Sequence, residues 1–175
     1  MTANALHSLY GGAVARTPAH VGGQEREQEV LTPDWILDVV REVFGGVIVL
    51  DPCAPTHHDV IALGNYTEAD NGLVLPWTDG TYFNPPFADL QAWLEKASTE
   101  ARPSAPRGPR TIGLFPFRPH RRWFHAPLRG AEVVFLNYNV KFKGHKNAFP
   151  APLVLASWNC RLPDLGERET DRRVW

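Results

Sequence analysis

The chain has 175 residues and a formal charge of -1, and 43% of its residues are hydrophobic and 21% charged. This composition excludes a wholly disordered chain and a protein that is basic overall, and the length favours one domain with a sizeable core. With two cysteines, no CxxC pair and no apolar stretch as long as a membrane span, the sequence predicts a cytoplasmic protein without a disulfide scaffold or a membrane partner.

The first part of the chain carries two Gly-Gly pairs and no sustained hydrophobic period. We therefore predict a loosely ordered arm over residues 1–28 and a domain over residues 29–160. Thr32-Pro33, followed by apolar residues at helical spacing, predicts a helix with Thr32 as its N-cap and the proline in its first turn. Gly45-Gly46 is expected to end that helix.

Residues 47–50 form a continuous apolar run with β-branched side chains, which is typical of a strand buried on both faces. The next stretch is weakly periodic up to Asn71-Gly72, so we interpret it as an irregular crossover that ends in a turn. Residues 81–83 form a second predicted strand. Residues 89–99 form a predicted helix whose apolar side includes Trp93 as a core residue.

The remaining pattern predicts strands at residues 111–115, 132–136 and 153–158, a short helix at residues 120–125 and a charged tail at residues 161–175. Strands that alternate with helices predict an α/β layered fold with a mostly parallel sheet. Ligands of such sheets bind beyond the carboxyl ends of the strands. The polar residues that follow residues 50 and 83 are therefore the first candidates for a site.

The most specific motif is Asn84-Pro85-Pro86-Phe87, which follows a predicted strand directly. Two prolines remove two N–H donors and fix the turn, so it presents hydrogen-bond acceptors. Such a turn suits a planar amine such as N6 of adenine: Asn84 and the Pro85 carbonyl would accept its hydrogens, and Phe87 would stack on the base. The nitrogen lone pair could then be directed at a sulfonium methyl group.

Two basic clusters are candidates for binding nucleic acid. The first contains Arg118, His120, Arg121 and Arg122, and the second contains Lys141, Lys143, His145 and Lys146. Aromatic residues are interleaved with both clusters, and cations of this kind contact phosphates. The alternative is a solvated basic face beside an aromatic core. A metal site at Cys53, His57, His58 and Asp59 is disfavoured because no second ligand pair has a recognised spacing, so no metal is expected.

An ordered set of motifs runs over residues 30–158: Thr32-Pro33, Leu50-Asp51-Pro52-Cys53-Ala54, Asn71-Gly72-Leu73, Trp77, Asn84-Pro85-Pro86-Phe87, Arg118, Arg122-Trp123-Phe124, Lys141-Phe142 and Phe149-Pro150. The set resembles the small phage-type DNA N6-adenine methyltransferases, the Dam-like group of phages and prophages. The resemblance implies a class I S-adenosylmethionine-dependent, Rossmann-like three-layer fold and DNA as the partner. It also suggests a place in restriction-modification and, if the chain is phage-encoded, in the host cytoplasm.

The resemblance also implies roles for individual residues. The implied cofactor-binding residues are Thr32, Pro33, Asp51, Pro52, Cys53, Ala54, Asp70 and Asn71, and the implied catalytic residues are Asn84, Pro85, Pro86 and Phe87. Thr32 would contact the methionine part of S-adenosylmethionine. Asp51 would accept from its α-ammonium group, and Asp70 and Asn71 would hold the ribose hydroxyls or the adenine.

Two features depart from the family pattern. The turn at residues 51–55 contains no glycine, and Tyr138-Asn139 stands where a Gly-Arg pair is expected before Lys141. Three other functions stay open: methyl transfer to cytosine N4, methyl transfer to a glutamine amide, and a DNA-binding module without turnover. The sequence is compatible with a monomer or a homodimer.

Overall fold

The computed structural model describes residues 30–56, 61–102, 108–136, 140–163, 165 and 170–174. The predicted arm at residues 1–28 lies outside this part of the chain. The described elements are β1 (Leu50–Asp51), β2 (Gly64–Asn65), β3 (Thr81–Phe83), β4 (Thr111–Pro116), β5 (Glu132–Leu136), β6 (Leu153–Trp158) and β7 (Thr170–Val174), with helices α1 (Asp34–Phe44), α2 (Leu90–Glu100) and α3 (Arg122–His125). The fold is α/β, and none of the described helices is long and apolar enough to span a membrane.

The described strands form one sheet in the order β2-β1-β3-β4-β6-β5-β7. The pairs β1 with β2, β1 with β3 and β3 with β4 are parallel. Because β2 lies on one side of β1 and β3 on the other, the strand order reverses at β1. In open α/β sheets, a reversal of this kind leaves a crevice outside the carboxyl ends of the strands.

The other half of the sheet is antiparallel. Strand β6 pairs antiparallel with both β4 and β5, and β5 pairs antiparallel with β7. The described sheet is therefore mixed, with three parallel and three antiparallel pairings, and the prediction of a mostly parallel sheet is wrong. The parallel pairings are confined to β2, β1, β3 and β4. Strand β7 lies at the edge of the sheet, within the predicted charged tail, and pairs only with β5. An edge strand tolerates charged side chains, so the charged sequence of the tail did not indicate a strand there.

Strand β2 lies in the stretch interpreted as an irregular crossover. It is two residues long and half-buried, so it carries none of the alternation or apolar run by which a strand is recognised. Its backbone pairing is nevertheless regular, because Gly64 N–H donates to the Val49 carbonyl at 2.8 Å and Tyr66 N–H donates to the Asp51 carbonyl at 2.9 Å. This pairing brings the crossover residues beside the end of β1.

Helix α1 ends as predicted, since Gly45 has a φ of 84° and Gly46 N–H donates to the Arg41 carbonyl at 2.7 Å. Its start differs from the prediction. Pro33 occupies the N-cap position, and no side chain caps the helix. Thr32, the predicted N-cap, is one residue too early for that role, and its hydroxyl is engaged elsewhere.

Candidate functional site

A cavity of about 560 Å³ lies at the carboxyl ends of β1 and β3. Its walls come from the segment before α1, the turn after β1, the crossover around β2, the end of β3 with the turn that follows it, one residue of α2 and one residue of the loop before β6. The sequence-predicted residues in the lining are Thr32, Asp51, Pro52, Cys53, Ala54, Asn71, Asn84, Pro86 and Lys143. The structure thus brings together the two turns that the strand pattern selected.

Asp51 ends β1 and is only 5% exposed. Its carboxylate accepts a hydrogen bond from the Cys53 N–H at 3.1 Å and lies 3.5 Å from the Cys53 sulfur. Burial raises the pKa of Asp51 from 3.8 to about 6, although the hydrogen bonds from Cys53 oppose this shift. A desolvated carboxylate without a counterion in the described protein is suited to a cationic ligand.

Cys53 connects the two turns. Its sulfur contacts the Asp51 carboxylate on one side and receives the backbone N–H of Asn84 on the other. Burial and the neighbouring carboxylate raise the pKa of the Cys53 thiol well above its ordinary value, so the thiol stays protonated. Cys53 therefore acts here as a neutral link between the ends of β1 and β3.

The Asn84 side chain has one engaged and one unengaged end. Its Nδ2 donates to the Val30 carbonyl at 2.6 Å and to the Thr32 hydroxyl at 3.3 Å. Its Oδ1 is buried and has no hydrogen-bond partner in the described protein. Because a backbone carbonyl can only accept, the group that faces Val30 must be the amide nitrogen, and the oxygen is left as an unused acceptor.

Thr32 and Tyr82 lie behind Asn84 in the cavity wall. Their hydroxyl oxygens are 2.8 Å apart, and the two residues are 6% and 0% exposed. Desolvation raises the pKa of Tyr82 well above its ordinary value, so its hydroxyl is neutral. Tyr82 was not among the predicted site residues, because the sequence pattern shows it only as part of the apolar strand at residues 81–83.

Phe87 does not have the surroundings expected of a base-stacking residue. It is 8% exposed, and its ring packs against Phe149 at 5.3 Å and Phe142 at 6.4 Å between centroids. Neither Phe87 nor Pro85 belongs to the described cavity lining. The aromatic side chains that do line it are Tyr82 and Trp93, and Trp93 is stacked on Trp77 at 6.1 Å.

The crossover contributes residues that differ in part from those predicted. Asp70 accepts from both the N–H and the hydroxyl of Thr67 at 2.8 Å, and the Thr67 N–H holds its pKa below the ordinary value. Asp70 therefore closes a local turn and lies outside the described lining, whereas Glu68 and Asn71 are part of it. Gly72 packs directly on the turn after β1: a Cβ at this position would lie 1.8 Å from the Pro52 carbonyl oxygen.

Lys143, predicted to contact DNA, lies in the cavity wall. Its ammonium group pairs with Asp34, and its backbone N–H donates to the Leu31 carbonyl at 2.9 Å. Lys141 and Lys146 of the same cluster are exposed. The loop thus presents part of its charge to solvent and uses the rest to close the cavity.

The first basic cluster is exposed at Arg121 and Arg122 and half-buried at Arg118. The aromatic residues interleaved with the two clusters do not share that exposure, since Phe124 is 0% and Phe142 is 2% exposed. These two rings therefore belong to the core and are not exposed beside the cations. His57, one of the candidate ligands of the disfavoured metal site, lies outside the described residues.

The comparisons with known proteins agree with this arrangement. The family model for DNA N-6-adenine-methyltransferase (Dam) matches residues 21–153. The chain belongs to this Dam family. The match contains the turn after β1, the crossover and the Asn-Pro-Pro-Phe turn, so the cavity lies within the part shared with the Dam family. No curated protein and no solved structure matches the chain.

Proposed function

We propose that the chain is an S-adenosylmethionine-dependent DNA methyltransferase that modifies N6 of adenine. The observation that carries the proposal is the buried, unpartnered Oδ1 of Asn84 beside the cavity. A buried acceptor without a donor costs about 1–3 kcal/mol, so its retention favours a ligand that supplies the donor. An exocyclic amine is such a donor, and the Dam family match supports adenine N6 as its source.

The cavity residues fit S-adenosylmethionine. Asp51 offers a desolvated carboxylate for its α-ammonium group, and Thr32 a hydroxyl for its methionine part. For the ribose hydroxyls we propose Glu68 in place of Asp70, because the Asp70 carboxylate is already engaged by Thr67. When bound, the cofactor would supply a methyl group that the sulfonium already activates.

Asn84 acts on the acceptor nitrogen. Its Oδ1 takes one N6 hydrogen bond, which draws the lone pair out of conjugation with the ring. The Pro85 carbonyl, which the sequence suggested for the second hydrogen, lies outside the described cavity lining, so we leave it out of this step. The nitrogen can lose its proton after methylation, so no strong base is needed beside it. We propose that Phe87, which is packed on Phe149 and Phe142, supports the turn, and that the base rests against Trp93 of the cavity lining.

A base in a duplex must leave the stack to reach a cavity of this kind, at a cost of a few kcal/mol. The exposed cations Arg121, Arg122, Lys141 and Lys146 are proposed to contact the phosphates. Lys143 has a different part in this proposal, because its pairing with Asp34 keeps it in the cavity wall.

The strand order, with its reversal at β1, supports a class I, Rossmann-like fold as the finer description of the sheet. We also propose a phage or prophage origin, a part in restriction-modification and a cytoplasmic location. They rest on the ordered motifs of the sequence.

The test is to incubate the protein with methyl-labelled S-adenosylmethionine and unmethylated DNA, and to analyse the digested nucleosides by mass spectrometry. The proposal predicts labelled N6-methyladenine. Labelled N4-methylcytosine, or label on a protein glutamine, would replace it with one of the other acceptors. DNA retention without any methyl transfer or cofactor binding would favour a binding module.

A further inference from the structure

The amide of Asn84 has two rotations, related by a half-turn about its last side-chain bond, and only one leaves the oxygen free. The Val30 carbonyl at 2.6 Å favours the rotation that places Nδ2 next to it. The Thr32 hydroxyl, at 3.3 Å from Nδ2, is the second group in contact with this nitrogen. A hydroxyl can donate or accept, so Thr32 favours the same rotation only if its oxygen presents a lone pair to Asn84.

Tyr82 determines how that hydroxyl can be arranged. Its own hydroxyl is 2.8 Å from Thr32 Oγ1, and it is completely buried. If Thr32 donates to Tyr82, the remaining lone pairs of Thr32 face Asn84. If Tyr82 donates to Thr32 instead, Thr32 keeps its own hydrogen and could donate it to an amide oxygen, so the arrangement in which Thr32 donates to Tyr82 is the one that favours the observed rotation.

We propose that Thr32 is a positioning residue, whose hydroxyl, oriented by Tyr82, holds the Asn84 amide with its oxygen free for the substrate amine. The opposite rotation would present an amide NH₂ to an amine NH₂, two donors facing each other. The consequence for catalysis rests on the proposed function, but the rotation of the amide does not. The sequence pattern assigned Thr32 to a helix cap, which the structure gives to Pro33.

The experiment compares Thr32→Val, which keeps the shape and removes the hydroxyl, with Thr32→Ser, which keeps the hydroxyl. Thr111→Val is the matched control, because Thr111 is also buried and its hydroxyl has no partner in the described protein. At saturating cofactor and DNA, Thr32→Val is expected to lower kcat by roughly 10- to 100-fold, the effect of a small misplacement of a reacting group. Thr32→Ser should recover kcat to within about threefold, and Thr111→Val should not change it.

A rise in the KM for S-adenosylmethionine with unchanged kcat in Thr32→Val would overturn the proposal, since it would make Thr32 a cofactor contact only. Equal losses in the Ser and Val variants would overturn it as well, because the hydroxyl would then not be the group that matters.

A second readout does not depend on activity. The side-chain NH₂ of Asn84 is assigned in a nitrogen–proton NMR spectrum by its disappearance in Asn84→Ala. The proposal predicts that Thr32→Val shifts this signal and speeds its exchange with water, whereas Thr32→Ser and Thr111→Val leave it in place. If the wild type transfers no methyl group but these shifts occur, the proposed function fails and the positioning role stands. An Asn84 signal that is indifferent to Thr32→Val refutes the positioning role whatever the activity.

Discussion

The buried carboxylate of Asp51 should make the protein less stable, and the substitution Asp51→Asn should reverse this. Burial raises the pKa of Asp51 from 3.8 to about 6. Because the folded state holds the proton more tightly than the unfolded state, the contribution of Asp51 to stability is greatest below pH 3.8 and is lost as the pH rises toward 6. Two pKa units correspond to roughly 3 kcal/mol, which is the penalty above pH 6.

The amide introduced by Asp51→Asn would have no charge to desolvate, and its oxygen could still accept from the Cys53 N–H. The substitution should therefore raise the free energy of unfolding by up to roughly 3 kcal/mol at pH 7.5 and by only about 1 kcal/mol at pH 4.5. Urea denaturation of both proteins at the two pH values measures the difference. The same substitution should weaken the binding of S-adenosylmethionine, measured by calorimetry, because the partner of its ammonium group is lost.

Asp79→Asn is the matched control. Hydrogen bonds from Arg110 hold the pKa of Asp79 below its ordinary value, so its charge favours the folded state. Removing that charge should lower the stability at pH 7.5. A loss of stability in Asp51→Asn, or a gain that does not vary with pH, would refute the reasoning about the Asp51 carboxylate.

Three further predictions concern other parts of the site. Gly72→Ala should lower the free energy of unfolding by roughly 1–3 kcal/mol, measured by urea denaturation, and weaken cofactor binding, because the new Cβ would lie 1.8 Å from the Pro52 carbonyl oxygen. An unchanged stability and affinity would contradict this close packing. Because the pKa of the Cys53 thiol is raised well above its ordinary value, the thiol should be alkylated far more slowly at pH 8 in the folded than in the denatured protein, with the rates followed by mass spectrometry. Equal rates would contradict the raised pKa. Replacing Arg121 and Arg122 by alanine should make the KM for DNA less sensitive to salt, so that the slope of log KM against log salt concentration falls by about 2. An unaltered slope would show that these two cations do not contact DNA.

The sequence predicted residues that line the candidate cavity because the signals for the two strands are local. A continuous apolar run before Asp51 and a short apolar strand before Asn84 identify two strands, and the sheet places their carboxyl ends together. The helices before and after these strands also follow from periodicity and from Gly45-Gly46. The family resemblance inferred from the motif order is confirmed by the Dam match.

Other features depend on contacts that no local pattern contains. Thr32 fits a helix cap by its sequence neighbours, but its hydroxyl instead contacts that of Tyr82, fifty positions away. Phe87 is next to the motif, yet it is buried by Phe142 and Phe149, which come from a distant loop. The same loop draws Lys143 to Asp34.

The strands also divide into those that a local sequence pattern predicts and those that it does not. Strand β2 has only two residues, one of them Gly64, and β7 is a charged edge strand, so neither carries the hydrophobic signal of the inner strands. The antiparallel position of β6 between β4 and β5 is a property of topology rather than of residue pattern. Strand existence could therefore be predicted for the buried strands, but strand order and direction could not.

The unused acceptor of Asn84 is tested most directly by the single-turnover rate of methyl transfer to DNA by Asn84→Ala, with cofactor binding measured in parallel by calorimetry. Removal of Oδ1 is expected to abolish formation of N6-methyladenine and to leave the affinity for S-adenosylmethionine within about threefold of the wild type. Methyl transfer by Asn84→Ala at the wild-type rate would contradict the role of the amide oxygen and, with it, the mechanism derived from this cavity.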